Sequence, residues 1–412
     1  MIRHRNARRG HPDAPNTTKA GPTRHRWLWA MTTAAIVVVW ACNDGGPAAY
    51  DDEEAAVARE VLASLADEVI VPAVVEFDAA ASELVVAAES WRASPDSVEA
   101  QEDVRQAWRV TFRAWQVLEV MQVGPAASTA LGGDGVRDRI YSYPTVDTCT
   151  VDRVLVDQQY EQPGFFEEQL VLAYGLDALE YLSFAPLDGH TCPEQVQLDD
   201  GWNALDAEQI LARRAAYAQV VASDIARHAS ELSAVWSGGY ARALGEPGSP
   251  SSPFADEREA LNALFAAMFY VDKLTKDAKL GVPIGYVDGC AAVPCSEQLE
   301  APHSGQAAVA IEANLQGLRR LVAGAGAGGV GFARMLEIRG QPQIADTLLA
   351  DIDQALAQAA VYDEPLQAVA ERNPEEIGPL FSEVKDVTDT LKGPFLMTLS
   401  LAVPREGAGE ND

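Results

Sequence analysis

Apolar residues recur at steps of three and four along most of this chain, and strand-like alternation is hard to find, so the pattern predicts helix throughout. Val57, Val61, Leu65 and Val69 step by four up to Pro72 and mark a first amphipathic helix; Phe77, Leu84, Ala88 and Trp91 mark a second. Ser94-Pro95-Asp96 reads as an N-cap with proline at the first helical position. It opens a long helix that Gly124-Pro125 stops near Gln122. Residues 126–163, rich in Gly, Asp, Pro and Tyr, read as a long ordered loop, a length that usually signals function or a staple. A helix from about Phe165 to Phe184, a second loop and a long helix from Ala207 to Trp236 follow.

The stretch GGYARALGEPGSPSSP (238–253) has the composition of an exposed connector. Beyond it the same style returns: helix from about Asp256 to Leu280, a loop, helix from about Gly305 to Ala323, a GAGAGGVG link, then Ile344, Leu348, Ile352 and Leu356, and finally Phe381, Val384, Val387 and Leu391. The expected fold is all-α, two tandem helical bundles over residues 55–237 and 255–403, joined by a linker at 238–254. Residues 404–412 read as a disordered tail.

The first 41 residues read as an address. Seven Arg and Lys side chains precede the apolar run WLWAMTTAAIVVVWA (27–41), which is shorter than the ~20 residues a spanning helix needs. Val39-Trp40-Ala41-Cys42 approximates a lipobox, with Trp40 as a departure, so Cys42 is the expected lipidation site; a plain signal peptide or a retained anchor is the alternative. Residues 42–54 then form a flexible acidic tether, and the protein is expected in the periplasm, lipid-anchored to the bacterial envelope. With Cys42 set aside, Cys149, Cys192, Cys290 and Cys295 remain, which allows three connectivities. Cys149 with Cys192 and Cys290 with Cys295 is the favoured pairing, because each pair falls in one loop-rich region. The whole chain carries a net charge of −30; loss of the leader removes seven basic residues and one acidic residue, leaving 24 basic against 60 acidic, near −36. Nucleic acid is therefore excluded as a partner.

Placing acids on the helices gives the strongest chemical signal. Glu119 lies 11, 7 and 4 positions after Trp108, Phe112 and Trp115 and shares their face. The stripe Leu170, Tyr174, Tyr181, Phe184 contains Asp177, with Glu180 at i+3. Ionised carboxylates in a dry interior cost several kcal/mol each, roughly, unless paired, hydrogen-bonded or metal-bound. Glu119, Asp177 and Glu180 together offer hard oxygen ligands suited to a cation such as iron, Ca²⁺ or Mg²⁺; the alternative is that Arg109, Arg113 or Tyr174 satisfies them internally. Asp272 and Lys276 form an expected i,i+4 ion pair. His190, His228 and His303 lie far apart in sequence, and no HExxH, GxSxG or Cys/His nucleophile arrangement is visible.

The segments AWQVLEVMQVGP (114–125), with its Glu119 followed by Gly-Pro, and GLDALEYL (175–182) resemble landmarks of the imelysin (peptidase M75-like) family, the second being similar to its GxHxxE signature. Tyr141-Ser142-Tyr143-Pro144, Arg213-Arg214-Ala215-Ala216-Tyr217, Leu280-Gly281-Val282-Pro283 and Asn314-Leu315-Gln316-Gly317 are similar to further landmarks in the same order. Asp177 stands where the signature has His, which removes the nitrogen ligand of a zinc peptidase site. The resemblance implies an all-α periplasmic lipoprotein that binds a ligand or cation and is linked to iron uptake, with a metal-uptake system as partner. Two rivals are a metal-dependent peptidase with Glu180 as base and a cell-envelope scaffold.

Overall fold

The computed structural model describes residues 50–127, 135–145 and 147–404. The leader, Cys42 and the tail from 405 onward lie outside the described residues. Among those described there is no β-strand, and no helix is long and apolar enough to cross a membrane.

The principal helices are α1 (Asp52–Ser64), α2 (Val71–Ala93), α3 (Val98–Leu118), α4 (Thr148–Asp157), α5 (Leu176–Phe184), α6 (Ala207–Val235), α7 (Glu257–Met268), α8 (Ala307–Ala323), α9 (Pro342–Ala359) and α10 (Gly378–Thr390). α2, α3, α5 and α6 pack on one another, α8 packs on α9 and α9 on α10, and the two groups meet where α3 crosses α8. One continuous hydrophobic core runs through both. At the crossing Gly317 is required, because a Cβ there would lie 2.5 Å from the Val117 carbonyl oxygen.

Several boundaries differ from the sequence pattern, each for a local reason. Helix begins at Asp52, inside the expected tether, because the Asp51 side chain accepts the Glu53 and Glu54 amides and three acids then occupy the positive end of the helix. Pro72 does not end the first helix. A π-helical turn, Leu65–Ile70, precedes it, and the chain runs on into α2. α1 packs on α7 and on the short helix Phe332–Ile338, so it leaves the first bundle and joins the second. Ser94 closes α2, and Ser97, whose side chain accepts the Ala100 amide, is the N-cap of α3. The described residues of the 126–163 region are largely helical, holding Val136–Ile140, α4 and a 3-10 turn at Gln159–Glu161. In the expected connector, Trp236–Tyr240 forms a π turn and Ala241–Gly245 a helix packed against α1, with Ala243 and Leu244 buried.

Disulfides join Cys149 to Cys192 and Cys290 to Cys295. The first ties the start of α4 to the loop after α5, where Asp152 accepts hydrogen bonds from the Thr191 amide (2.7 Å) and the Tyr181 hydroxyl (2.9 Å).

Candidate functional site

α3 buries the face carrying Trp108, Phe112 and Trp115, and Glu119 caps its C-terminal end with no side-chain exposure. Glu119 Oε1 accepts from Trp115 Nε1 (2.7 Å) and Gln122 Nε2 (3.3 Å), and Arg137 Nε stands 3.5 Å away. Glu119 Oε2 is buried and has no hydrogen-bond partner among the described residues. Burial pushes the Glu119 carboxyl pKa up, against the opposing pull of Arg137 and Lys279. The cation that serves Glu119 comes from the short helix Val136–Ile140, in the stretch expected as loop. Arg109 and Arg113 instead pair with Glu102 (2.9 Å) and Glu312 (3.3 Å), away from the acids.

Gly175, at φ +92°, interrupts the helix expected over 165–184, and a Cβ there would lie 2.9 Å from the Ile140 carbonyl oxygen. Leu170 is consequently exposed, outside any shared stripe, and Asp177 falls in the first turn of α5. Asp177 Oδ2 accepts from the Ser142 amide (2.8 Å) and hydroxyl (3.3 Å); Glu180 Oε1 accepts from the Ser304 amide (2.6 Å). Burial raises Asp177 to about 7 and Glu180 to about 8, with these hydrogen bonds pulling the other way. The two acids thus fasten two separate backbone segments, at Ser142 and at Ser304, to α5. The residue that precedes α8 is Gln306, which gives the helix no side-chain cap.

Close to Asp177 lies a buried network that the sequence did not reveal. Lys279 Nζ contacts Glu300 Oε2 (3.0 Å), Gln116 Oε1 (2.7 Å) and Asn314 Oδ1 (2.8 Å). Glu300 Oε1 accepts from Tyr141 Oη (2.5 Å) and Gln116 Nε2 (2.9 Å). Glu300 lies in a loop, where no periodicity marks a residue as inward. Lys279 lies within a π-helical segment, Val271–Gly281, which displaces the faces a 3.6-residue repeat would assign.

Among the described residues, no group of three or more His, Cys, Asp and Glu side chains is arranged to hold a metal ion. Glu119, Asp177 and Glu180 share one electrostatic environment but not one ligand set, since the hydrogen bonds above commit Asp177 and Glu180 to backbone. A hard cation takes about six oxygen ligands, so this donor set does not fit a resident bare metal. Asp272 is buried with Lys276 at 3.5 Å as expected, and also with Lys273 (3.5 Å) and Lys392 (3.2 Å). His190 contacts Asp199 (2.8 Å), His228 lies by Asp224 and Glu231, and His303 packs edge-on against Tyr181.

Glu119 lines a cleft of about 530 Å³, whose other walls include Arg137, Tyr143, Phe269 and Tyr270; neither Asp177 nor Glu180 reaches it. Tyr143 turns its hydroxyl away, donating to the carbonyls of Ala278 and Gln298 (3.2 Å each), so its ring serves as wall. The Tyr270 hydroxyl is buried and has no hydrogen-bond partner among the described residues.

The family model described as imelysin, peptidase M75, matches residues 70–386. The chain belongs to the imelysin family. In relation to other proteins, this imelysin is 29% identical over 132 residues to "Iron-regulated protein A" of Synechococcus elongatus, a match over 32% of this chain that spans about a third (33%) of that relative's length. Its fold is shared with an imelysin-like protein from Psychrobacter arcticum 273-4 (TM-score 0.66, 19% identity, 85% of this chain and 97% of that one). It is shared equally with a putative iron-regulated protein A precursor from Parabacteroides distasonis (TM-score 0.66, 16% identity, 86% and 97%).

Proposed function

We propose that this imelysin is an exported, lipid-anchored binding protein of the bacterial cell envelope that serves iron uptake, with its ligand in the cleft beside Glu119. The observation that carries the reading is Glu119, a residue lining a largely apolar cleft, whose buried Oε2 has no hydrogen-bond partner among the described residues. An unsatisfied buried acceptor costs about 1–3 kcal/mol, which a ligand donor or cation would recover. The basic leader ending at Cys42 supports export and anchoring, and the names of the Synechococcus and Parabacteroides proteins support the link to iron. With one free carboxylate oxygen on offer, iron would enter with most of its coordination supplied by a small organic complex. The peptidase reading is weaker, because Glu180, its expected base, is committed to the Ser304 amide.

The test is iron content after desalting of the mature protein incubated with ferric citrate. Iron retained by the native protein and reduced in Glu119→Gln is expected; no retention by the native protein overturns the iron reading. Fractionation of Cys42→Ser tests the anchor: the variant should move from the membrane to the soluble exported fraction, and an unchanged membrane fraction overturns lipidation.

A further inference from the structure

Two buried polar atoms without a hydrogen-bond partner among the described residues, Glu119 Oε2 and Tyr270 Oη, belong to side chains that line the same cleft. Buried polar groups are normally satisfied, so two orphans carried by side chains that line one cavity point to polar groups that arrive with a ligand. The rest of the wall narrows the class. Tyr143, Phe269 and Tyr270 give it aromatic surface, and the buried Lys279 ammonium lies 6.0 Å from the Tyr143 ring centre and 5.2 Å from that of Tyr270. A cation already held against these rings disfavours a second cation stacked on them and favours an electron-rich ring. Gln122, Ala266 and Ala267 also line a second chamber of about 230 Å³, and the small alanine side chains leave this part of the cleft wall flat.

We infer that the cleft takes an electron-rich aromatic molecule carrying a hydroxyl, which donates to Glu119 Oε2 while the Tyr270 hydroxyl hydrogen-bonds a second polar group or the same oxygen. This rests on the cleft being the binding site, and it holds whether or not the ligand carries iron. Glu119 is the specificity-determining group. Its Oε1 is held by Trp115 and Gln122, with Arg137 close by. In Glu119→Gln the amide oxygen must therefore keep that position, and the amide NH₂ takes the place of Oε2. An acceptor at the cleft becomes a donor.

The probes are 2-naphthol, followed by its fluorescence, and 2-methoxynaphthalene, the same ring system without the hydroxyl proton, each titrated into metal-free mature protein. The native protein should bind 2-naphthol at least about tenfold more tightly than the ether, the loss expected when a hydrogen bond to a charged group is removed. Glu119→Gln should abolish that preference with little change in affinity for the ether. Tyr270→Phe should weaken 2-naphthol severalfold and retain the preference, which keeps the test open if Glu119→Gln does not fold. Equal binding of the two probes by the native protein, survival of the preference in Glu119→Gln, or binding of neither probe overturns the inference. Failure here alongside iron retention from ferric citrate would leave the iron reading standing, and the reverse outcome would remove iron while keeping the ligand class.

Discussion

Lys279 and Glu300 form an ion pair of 3.0 Å in which neither side chain has any solvent exposure. Lys279 comes from the segment after α7 and Glu300 from the loop before α8, and Gln116 of α3 bonds both. The pair therefore sits where the two helical groups meet, and it backs the aromatic wall of the cleft.

Breaking that pair from one side should be far more costly than replacing it whole. Lys279→Met or Glu300→Leu alone leaves a buried charge uncompensated, at about 3–5 kcal/mol, while the double variant should recover much of the loss. Urea unfolding of the three variants checks this. Additive losses would mean that the charges do not depend on each other.

How far the site could be read in advance follows from where its residues lie. Glu119 was legible because α3 is a regular amphipathic helix whose tryptophans mark the inward face. Asp177 and Glu180 were found as buried acids, but a glycine at positive φ, invisible to periodicity, moved them to a new helix start and changed their partners from a presumed cation to backbone amides. Arg137, Glu300 and Tyr270 escaped altogether. The first two lie in a short helix and a loop, and the third sits where α7 gives way to a π-helical segment. The helical fold itself was readable because apolar spacing accumulates over long segments, whereas a polar network depends on which loops meet.

Gly317 limits how closely α3 and α8 can approach. A methyl group there would lie 2.5 Å from both the Val117 carbonyl oxygen and Val120 Cγ2, so the helices must part. Gly317→Ala should destabilise the protein by about 1–3 kcal/mol, the usual cost of overpacking, even though alanine is the better helix former. A thermal melt showing equal or greater stability would disprove the close-approach argument.

The disulfides should contribute unequally. Cys149–Cys192 closes a separation of 43 residues and Cys290–Cys295 one of 5, so loop-closure entropy assigns them about 4 and about 2 kcal/mol. Paired serine replacements compared by urea unfolding should rank in that order. The first should also loosen the Thr191 amide held by Asp152, seen as faster hydrogen exchange at Thr191.

Asp177 and Glu180 give the pH dependence its sign. Their native values, about 7 and about 8, lie above the ordinary 3.8 and 4.5, so the folded state holds protons that the unfolded chain releases. The stability they contribute is complete below about pH 4, declines as pH rises, and is lost once pH has passed through 7 and 8. Each tenfold difference in proton affinity is worth about 1.4 kcal/mol, so the two acids should produce a decline of several kcal/mol between pH 4 and 8. Other groups titrate over the same range, and the measurement is therefore a difference: melting temperature against pH for the native protein, Asp177→Asn and Glu180→Gln. Each amide keeps the acceptor for its backbone partner and removes the ionisation, so each variant should show a flatter profile and gain on the native protein as pH rises. Profiles that remain parallel from pH 5 to 8 would mean that both acids are already ionised in the fold, with Ser142 and Ser304 stabilising them more strongly than burial opposes them.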